Sequence, residues 1–361
     1  MGEVDRRQVL GLRVRAQQLD RAQGALADTA VLDLGVQDTG PDGGRWALAL
    51  RGVDVATLRA EDLALVWTLR GAPHLYRRTD LPAVARAVEP FSDADAGKRI
   101  FDASKPLKAA GIGNLEALDT VAATMRSVVM QPMVKGEVSS RLTDLMDAPY
   151  LRFCRPCNAI HLYEQPFRLA TLRAGLELEQ GTSPPVIRPI QGFEPVEEVP
   201  ERLDVVRAYL RLLGPATPKQ VADFLDAPVK DVKARWPEDA VEVSVEGESR
   251  WVLVEDEPLL GEEPPELARL LGPFDLFLQP KDRALLVPDT SRHKSLWPVL
   301  GRPGAVLVDG EVAGTWRPRK SGRKLRLAVE AWQRLPRPAV EEQAERLAAF
   351  RGVTLTGVDV S

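Results

Sequence analysis

Residues 205–236 constrain the fold of this chain most, because helix start and stop signals agree along the whole segment. An amphipathic pattern ends at Gly214-Pro215, and Thr217 is a residue type that caps helices. Pro218 suits the first position of the next helix, and Asp226-Ala227-Pro228 interrupts that helix before a third. The segment therefore predicts three short consecutive helices.

A β-hairpin is predicted directly after these helices. Residues 241–254 alternate strictly between apolar and polar side chains on both sides of Glu246-Gly247. This alternation is typical of two strands joined by a tight turn. Three helices followed by a hairpin form a winged helix-turn-helix unit.

Two less regular copies of the same pattern precede this unit. The first copy is predicted to contain a helix over 6–21, a second helix over 59–67 and a hairpin around Gly71-Ala72-Pro73. The second is predicted to contain helices over 115–130 and 136–146, followed by strand-like segments within 152–164 and 176–190.

The C-terminal third has a different pattern. Past an acidic segment at 255–266, strands are predicted over 271–278, 305–317 and 324–330, with a last helix over 340–350 that closes the chain. We expect a mainly α protein with β wings (α+β), made of tandem winged helix-turn-helix units plus a C-terminal antiparallel β domain. The expected domains are 1–95, which carries the Gln37 motif, 96–192, 200–260 and 267–361.

Charge and composition favour a soluble protein with one strongly basic surface. The chain of 361 residues has a net charge of −4, yet Arg317–Arg326 contains six basic residues and no acidic one. No apolar run is long enough to span a bilayer, and the charged N-terminus lacks the apolar core of a signal peptide. We therefore expect a cytoplasmic, nucleoid-associated location, without contact to a membrane.

Several segments together resemble the bacterial winged-helix DNA-binding family that includes DNA glycosylases acting on alkylated bases and on interstrand crosslinks. The resemblance covers nearly the whole chain. It rests on the N-terminal helix leading into VLDLGVQDTG, the first hairpin around Arg70–His74, the Gly-Pro-Ala-Thr helix-turn-helix, Phe274-Asp275 and the segment Val308–Trp316. It implies winged helices arranged around a cleft that accepts double-stranded DNA.

The resemblance also implies the position of the catalytic residues. In the glycosylases of that family, a Gln-x-Gln or Gln-x-Asp motif follows the first helix, and the matching residues here are Gln37, Asp38 and Thr39. The first glutamine is kept, whereas threonine replaces the second catalytic position. By this resemblance Gln37 orients the attacking water with help from Asp38 or Thr39, and no metal or organic cofactor is required. In an extended segment the Asp38 side chain points away from the other two.

DNA contacts are expected from basic side chains, since phosphate attracts arginine and lysine. Three groups of residues are candidates: the first hairpin, a basic segment near residue 293, and the basic C-terminal hairpin. They are Arg70, His74, Arg77 and Arg78; His293; and Arg317, Arg319, Lys320, Arg323 and Lys324. The expected partner is double-stranded DNA, bound by a monomer.

The sequence also allows other functions and a metal site. The chain could be a non-catalytic winged-helix DNA-binding protein, such as a transcriptional regulator, or a winged-helix scaffold for protein partners, because fold alone does not decide function. The spacing Cys154-x-x-Cys157-x-x-x-His161 fits zinc ligands but also the buried face of a helix. A fourth ligand is missing, although Glu164 is near, and we expect no metal.

Overall fold

The computed structural model describes residues 3–40 and 42–361. The α-helices are α1 (Arg6–Ala16), α2 (Gly43–Leu50), α3 (Leu81–Ala87), α4 (Asp93–Arg99), α5 (Ser104–Ala109), α6 (Asn114–Val128), α7 (Lys135–Leu145), α8 (Glu164–Arg173), α9 (Val205–Leu213), α10 (Pro218–Leu225), α11 (Val229–Lys233), α12 (Arg283–Leu286), α13 (His293–Leu296) and α14 (Arg337–Phe350). The β-strands are β1 (Val36–Gln37), β2 (Leu63–Trp67), β3 (Pro73–Arg77), β4 (Met133–Val134), β5 (Leu151–Cys154), β6 (Ala159–Leu162), β7 (Leu176–Leu178), β8 (Val186–Pro189), β9 (Ala240–Val245), β10 (Glu248–Leu253), β11 (Ala268–Leu271), β12 (Gly304–Val308), β13 (Glu311–Ser321), β14 (Lys324–Ala331) and β15 (Thr354–Val360). The fold is thus a mixture of helices and several sheets. Within the described ranges, no helix has the length and apolarity needed to cross a membrane.

The chain divides into two compact units. The first unit contains the chain up to Thr57 together with Tyr209–Gln220 and Pro237–Ser361, and the second contains Leu58–Ala208 and Val221–Trp236. The first unit is therefore built from both ends of the sequence.

A five-stranded sheet, in the order β11-β12-β13-β14-β15, dominates the first unit. Neighbouring strands are antiparallel from β11 to β14, but β15 runs parallel to β14. A parallel neighbour requires a crossover connection, which helix α14 supplies. The prediction of a purely antiparallel β domain closed by a helix is therefore wrong for the last strand, which follows that helix.

The core of the first unit joins side chains that are far apart in the sequence. Val9 and Leu12 of α1 and Trp46 of α2 belong to the same buried cluster as Leu307 of β12 and Leu347 of α14. Helix α1 begins with a capping box in which the Asp5 and Gln8 side chains each accept a hydrogen bond from the backbone N–H of the other. Local capping and long-range burial together fix its position in this unit.

Five strands of the second unit lie in the order β3-β2-β7-β8-β4. All five residues of β2 are buried, because the strand lies between β3 and β7 and its side chains are covered by helices: Ala64 and Val66 cluster with residues of α3, and Trp67 packs against Phe167 of α8. The helix predicted over 59–67 is therefore wrong: a strand in the interior of a sheet is apolar on both faces and shows no alternation. The helices predicted over 115–130 and 136–146 are confirmed as α6 and α7.

The elements predicted between residues 205 and 254 are confirmed. Helices α9, α10 and α11 are followed by the antiparallel pair β9–β10, with its turn at Glu246-Gly247. The Thr217 hydroxyl accepts the N–H of Gln220, whose side chain in turn accepts the N–H of Thr217, and Pro218 is the first residue of α10. The cap predicted from the sequence is thus present.

Two further elements differ from the prediction. The sequence patterns do not predict helix α2, which begins with Gly43 and Gly44, a residue type common in turns. The strand predicted over 271–278 is shorter: β11 ends at Leu271, and Leu276–Leu278 form a 3-10 turn capped by the Asp275 side chain.

Candidate active site

The segment that leads to Gln37 is fixed by its backbone and by one ion pair of the first unit. A 3-10 turn over Ala30–Asp33 is followed by Gly35, whose φ of +90° is a conformation that suits glycine. The Asp33 carboxylate forms an ion pair with Arg211. The chain then enters the short strand β1, which ends at Gln37.

The side chains of Gln37 and Thr39 are hydrogen-bonded to each other. The Gln37 amide Nε2 donates to the Thr39 hydroxyl oxygen over 3.0 Å, and both side chains are half-buried. With the amide nitrogen facing Thr39, the Gln37 oxygen Oε1 points elsewhere and can accept a hydrogen bond. The pair thus presents one oriented, uncharged acceptor.

Asp38 points to a different part of the first unit, as the alternation predicts. Its Oδ1 accepts the backbone N–H of Gly44 over 2.8 Å, at the start of helix α2. Burial raises the pKa of Asp38, and the hydrogen bond from Gly44 and the charge of Arg45 offset this only in part. Asp38 therefore ties the loop to the N-terminus of α2.

Helix α2 is held firmly within the first unit. The indole N–H of Trp46 donates to the Leu270 carbonyl over 2.8 Å, and its ring lies 5.2 Å from that of Phe350. At the other end, Arg51 and Asp275 form a bidentate pair with two contacts of 2.9 Å, and their side chains are 1% and 0% exposed. A loop tied to this helix has a rigid support.

Asp42 and Arg351 were not predicted as part of this site. The Asp42 carboxylate pairs with the Arg351 guanidinium at 2.5 and 3.1 Å, across 309 positions of sequence. Nothing local in the sequence marks this pair, because its members meet only through the packing of α14 and α2 in one unit.

Two of the four residues of the first hairpin that were predicted to contact DNA, His74 and Arg77, are buried. His74 is 3% exposed, and its Nδ1 lies 3.0 Å from the Thr68 hydroxyl. Burial, together with the nearby charge of Arg70, lowers the pKa of His74 to about 3, so its ring is neutral at physiological pH. Arg77 is 7% exposed and pairs with Asp80. Buried side chains cannot reach a phosphate, so His74 and Arg77 are not retained as DNA contacts.

The other two arginines of this hairpin also have protein partners. Arg70 donates to the Phe224 carbonyl over 3.1 Å, and its guanidinium lies 4.3 Å from the centre of the Phe224 ring. Arg78 pairs with Glu177 at 2.9 Å. Both are half-buried, so contact with DNA would compete with these interactions.

His293 begins helix α13 and is half-buried. Its Nε2–H donates to the Val287 carbonyl over 2.8 Å, and its ring packs edge-on against Trp297 at 5.2 Å. This nitrogen is therefore committed to the fold of the first unit rather than directed to solvent.

The basic C-terminal hairpin, by contrast, is exposed. Strands β13 and β14 pair from Gly314 to Ser321, and residues 317–324 at its end are all solvent-exposed. Arg317 donates to the Gly301 carbonyl over 2.7 Å. Four further cations of this hairpin form no ion pair with any residue that the structure describes: Arg319, Lys320, Arg323 and Lys324. Like charges this close repel one another, which makes the hairpin a natural surface for an anion.

Cys154, Cys157 and His161 lie close together in the second unit, on a β-hairpin rather than on a helix. Cys154 ends β5, Cys157 lies in the turn, and His161 lies on β6. The backbone N–H of Cys157 and the side chains of His161 and Cys157 lower the pKa of the Cys154 thiol to about 7. The alternative of a buried helix face is therefore wrong, because the segment is not helical and Cys157 is exposed.

Comparison with known proteins assigns this chain to a family. The model of the AlkZ-like DNA glycosylases matches residues 11–350, a range that includes the Gln37 loop and the basic hairpin. The fold is similar to that of the Streptomyces sahachiroi DNA glycosylase AlkZ, with a TM-score of 0.75 and 22% identity over 100% of both chains. No curated protein matches the chain by sequence. Because the family model covers nearly all of the chain, this protein belongs to the AlkZ-like DNA glycosylases.

Proposed function

We propose that this glycosylase releases alkylated bases, including crosslinked ones, from double-stranded DNA with a water molecule held by Gln37. The observation that carries this is the hydrogen bond from Gln37 to Thr39, which leaves the Gln37 Oε1 as an oriented acceptor. A water that donates to Oε1 can direct a lone pair at the sugar carbon as the base departs with the electron pair of the C–N bond. The proton lost by the attacking water passes to solvent. Thr39 would act by fixing the amide, and Asp38 by fixing the loop on α2.

The neutral character of this pair supports an alkylated purine as the substrate. Cleavage of an N-glycosidic bond develops positive charge on the sugar, which usually requires a carboxylate close by. An N7-alkylated purine already carries a positive charge and leaves easily, so orientation of the water supplies much of the remaining acceleration. A threonine at the second catalytic position is compatible with that limited task.

DNA would be held by the exposed cations of the basic hairpin. Its unpaired guanidinium and ammonium groups fit phosphate oxygens, which fix position without reading sequence. We further propose that the ranges 1–95, 96–192 and 200–260 act as winged-helix units and 267–361 as a β domain; the boundaries of the two compact units fall within the first and third of these ranges. The clearest support is the run of α9, α10 and α11 followed by β9–β10. We also propose that the enzyme acts as a monomer in the bacterial cytoplasm, on nucleoid DNA.

Base release from duplex DNA containing N7-methylguanine tests the catalytic proposal, with abasic sites detected by alkaline cleavage. Gln37→Ala should abolish release and leave DNA affinity nearly unchanged. Thr39→Val removes the acceptor at constant shape and should slow release, whereas Thr39→Ser keeps it and should retain most activity. A Gln37→Ala variant as active as the parent would refute the assignment.

The variant Asp38→Asn tests whether Asp38 only positions the Gln37 loop or also accepts a proton from the attacking water. Asparagine keeps an oxygen that can accept the Gly44 N–H but cannot take up a proton, so our proposal predicts near-parental release. Asp38→Ala removes the acceptor and should lower activity. Loss of activity in Asp38→Asn, in a variant with parental stability, would instead make Asp38 the general base. No release by the parent on methylated or crosslinked DNA would favour a non-catalytic DNA-binding protein.

A further inference from the structure

The β5–β6 hairpin of the second unit brings together two thiols and an imidazole that the glycosylase reaction does not use. The ligand atoms of Cys154, Cys157 and His161 all lie within 4.8 Å of one another. We propose that this hairpin binds one Zn²⁺ ion through the two sulfur atoms and the His161 ring.

The backbone of the hairpin prepares these groups for a metal. Asn158 closes the turn between the two strands with a left-handed φ of +49°. The Nδ1–H of His161 donates to the Leu162 carbonyl over 2.9 Å. This bond fixes the ring and leaves the Nε2 lone pair for a metal, the arrangement in which metal-binding histidines are usually held.

The donor set selects the metal. Two thiolates and one imidazole are soft and borderline ligands, which suit Zn²⁺ and do not suit Mg²⁺ or Ca²⁺. Glu164 is not the fourth ligand, because its carboxylate is paired with Lys135 at 2.8 Å and Arg168 at 2.6 Å. Since the turn is exposed, a water molecule can complete the tetrahedron.

The outer half of the hairpin, beyond the buried Leu162 of β6, has little else to stabilise it. Strands β5 and β6 form a two-stranded sheet of their own, and the cross-strand neighbours Phe153 and Ile160 are 59% and 58% exposed. A two-stranded hairpin without a covered apolar face is marginal in water. A metal that links its turn to β6 would supply the missing constraint, as structural zinc does in other small modules.

Metal titration of the reduced, full-length protein tests the proposal. Co²⁺ should bind at one equivalent per chain and produce a thiolate-to-cobalt absorption band, which Zn²⁺ then removes. The chain contains only these two cysteines, so the band reports on them alone. Cys154→Ser and Cys157→Ser should abolish the band. His161→Gln should weaken binding by more than the roughly 10- to 100-fold that loss of an outer-shell partner causes. The matched control, His293→Gln, should bind as the parent does.

Hydrogen exchange provides a second readout that does not depend on cobalt. Added Zn²⁺ should slow amide exchange in residues 151–162 of the parent but not of Cys157→Ser, with both proteins equally folded by circular dichroism. The proposal is overturned if the reduced parent takes up neither metal, or if Cys157→Ser binds as tightly as the parent. A Cys154–Cys157 disulfide in air, without uptake by the reduced protein, would overturn it as well.

Discussion

The buried pair of Arg51 and Asp275 gives the most quantitative test of how helix α2, to which the Gln37 loop is tied, is supported. Arg51 also donates to the carbonyls of Gln17 at 2.9 Å and Ala47 at 2.8 Å, so its charge is fully enclosed by the first unit. Asp275→Asn keeps the shape of the side chain but removes the charge that balances the guanidinium. Breaking one side of a buried pair costs about 3–5 kcal/mol, so the free energy of unfolding should fall by that amount.

Urea unfolding followed by circular dichroism measures this loss. The control is Asp359→Asn, because the Arg326–Asp359 pair is 47% exposed on both sides. Exposed pairs contribute about 0.2–1 kcal/mol, so this variant should be nearly as stable as the parent. Combining Arg51→Met with Asp275→Leu removes both charges and should recover part of the loss, since the bonds from Arg51 to the Gln17 and Ala47 carbonyls and the cap on Phe277 are lost as well. If Asp275→Asn loses no more than Asp359→Asn, the reasoning is refuted.

Three further predictions concern charge. Arg319→Ala and Lys320→Ala should each reduce the slope of log DNA affinity against log salt concentration by about 0.9. The control Lys105→Ala, which lies far from the hairpin in the sequence, should leave the slope unchanged. Equal slopes for all three variants would exclude the basic hairpin as a phosphate contact. The pKa of His74 is about 3 in the folded chain and 6.5 ordinarily. Below pH 6.5 the unfolded chain therefore binds a proton that the folded chain does not, and the protein loses stability. The NMR shift of the His74 ring should stay constant from pH 8 to 5. Burial alone would raise the pKa of Asp282, but the neighbouring guanidinium groups of Arg13 and Arg250 outweigh this effect and lower it. These ion pairs therefore contribute stability above pH 3.8, and this contribution is lost as the pH falls through the folded-state pKa of Asp282. The acid unfolding curve of Asp282→Asn should therefore be shallower.

Elements governed by local signals could be predicted from the sequence. The cap at Thr217, the start of α10 at Pro218 and the turn at Glu246-Gly247 depend on neighbouring residues, and all three are present. The divergence of Asp38 from Gln37 and Thr39 also followed from simple alternation.

Features governed by distant partners could not be predicted in this way. Strand β2 lies inside a sheet and is buried on both faces, so its sequence lacks the alternation of a half-exposed strand and was interpreted as a helix. His74 and Arg77 looked like a basic surface, since the sequence does not reveal that the hairpin is buried. The proposed location of the catalytic residues rests on family resemblance, whereas the Asp42–Arg351 pair at the start of α2 could be found only in the structure.

The division of the first unit between the two ends of the chain has a consequence for biosynthesis. Gln37 leaves the ribosome early, but Leu270, Asp275 and Phe350, which hold the helix behind it, are among the later residues to be translated. Contacts of such large sequence separation form late, because the intervening chain must first be closed into a loop. A chain that has not been translated past Phe350 therefore lacks part of the support of helix α2, to which the Gln37 loop is tied. We expect base release only from chains that extend beyond this residue.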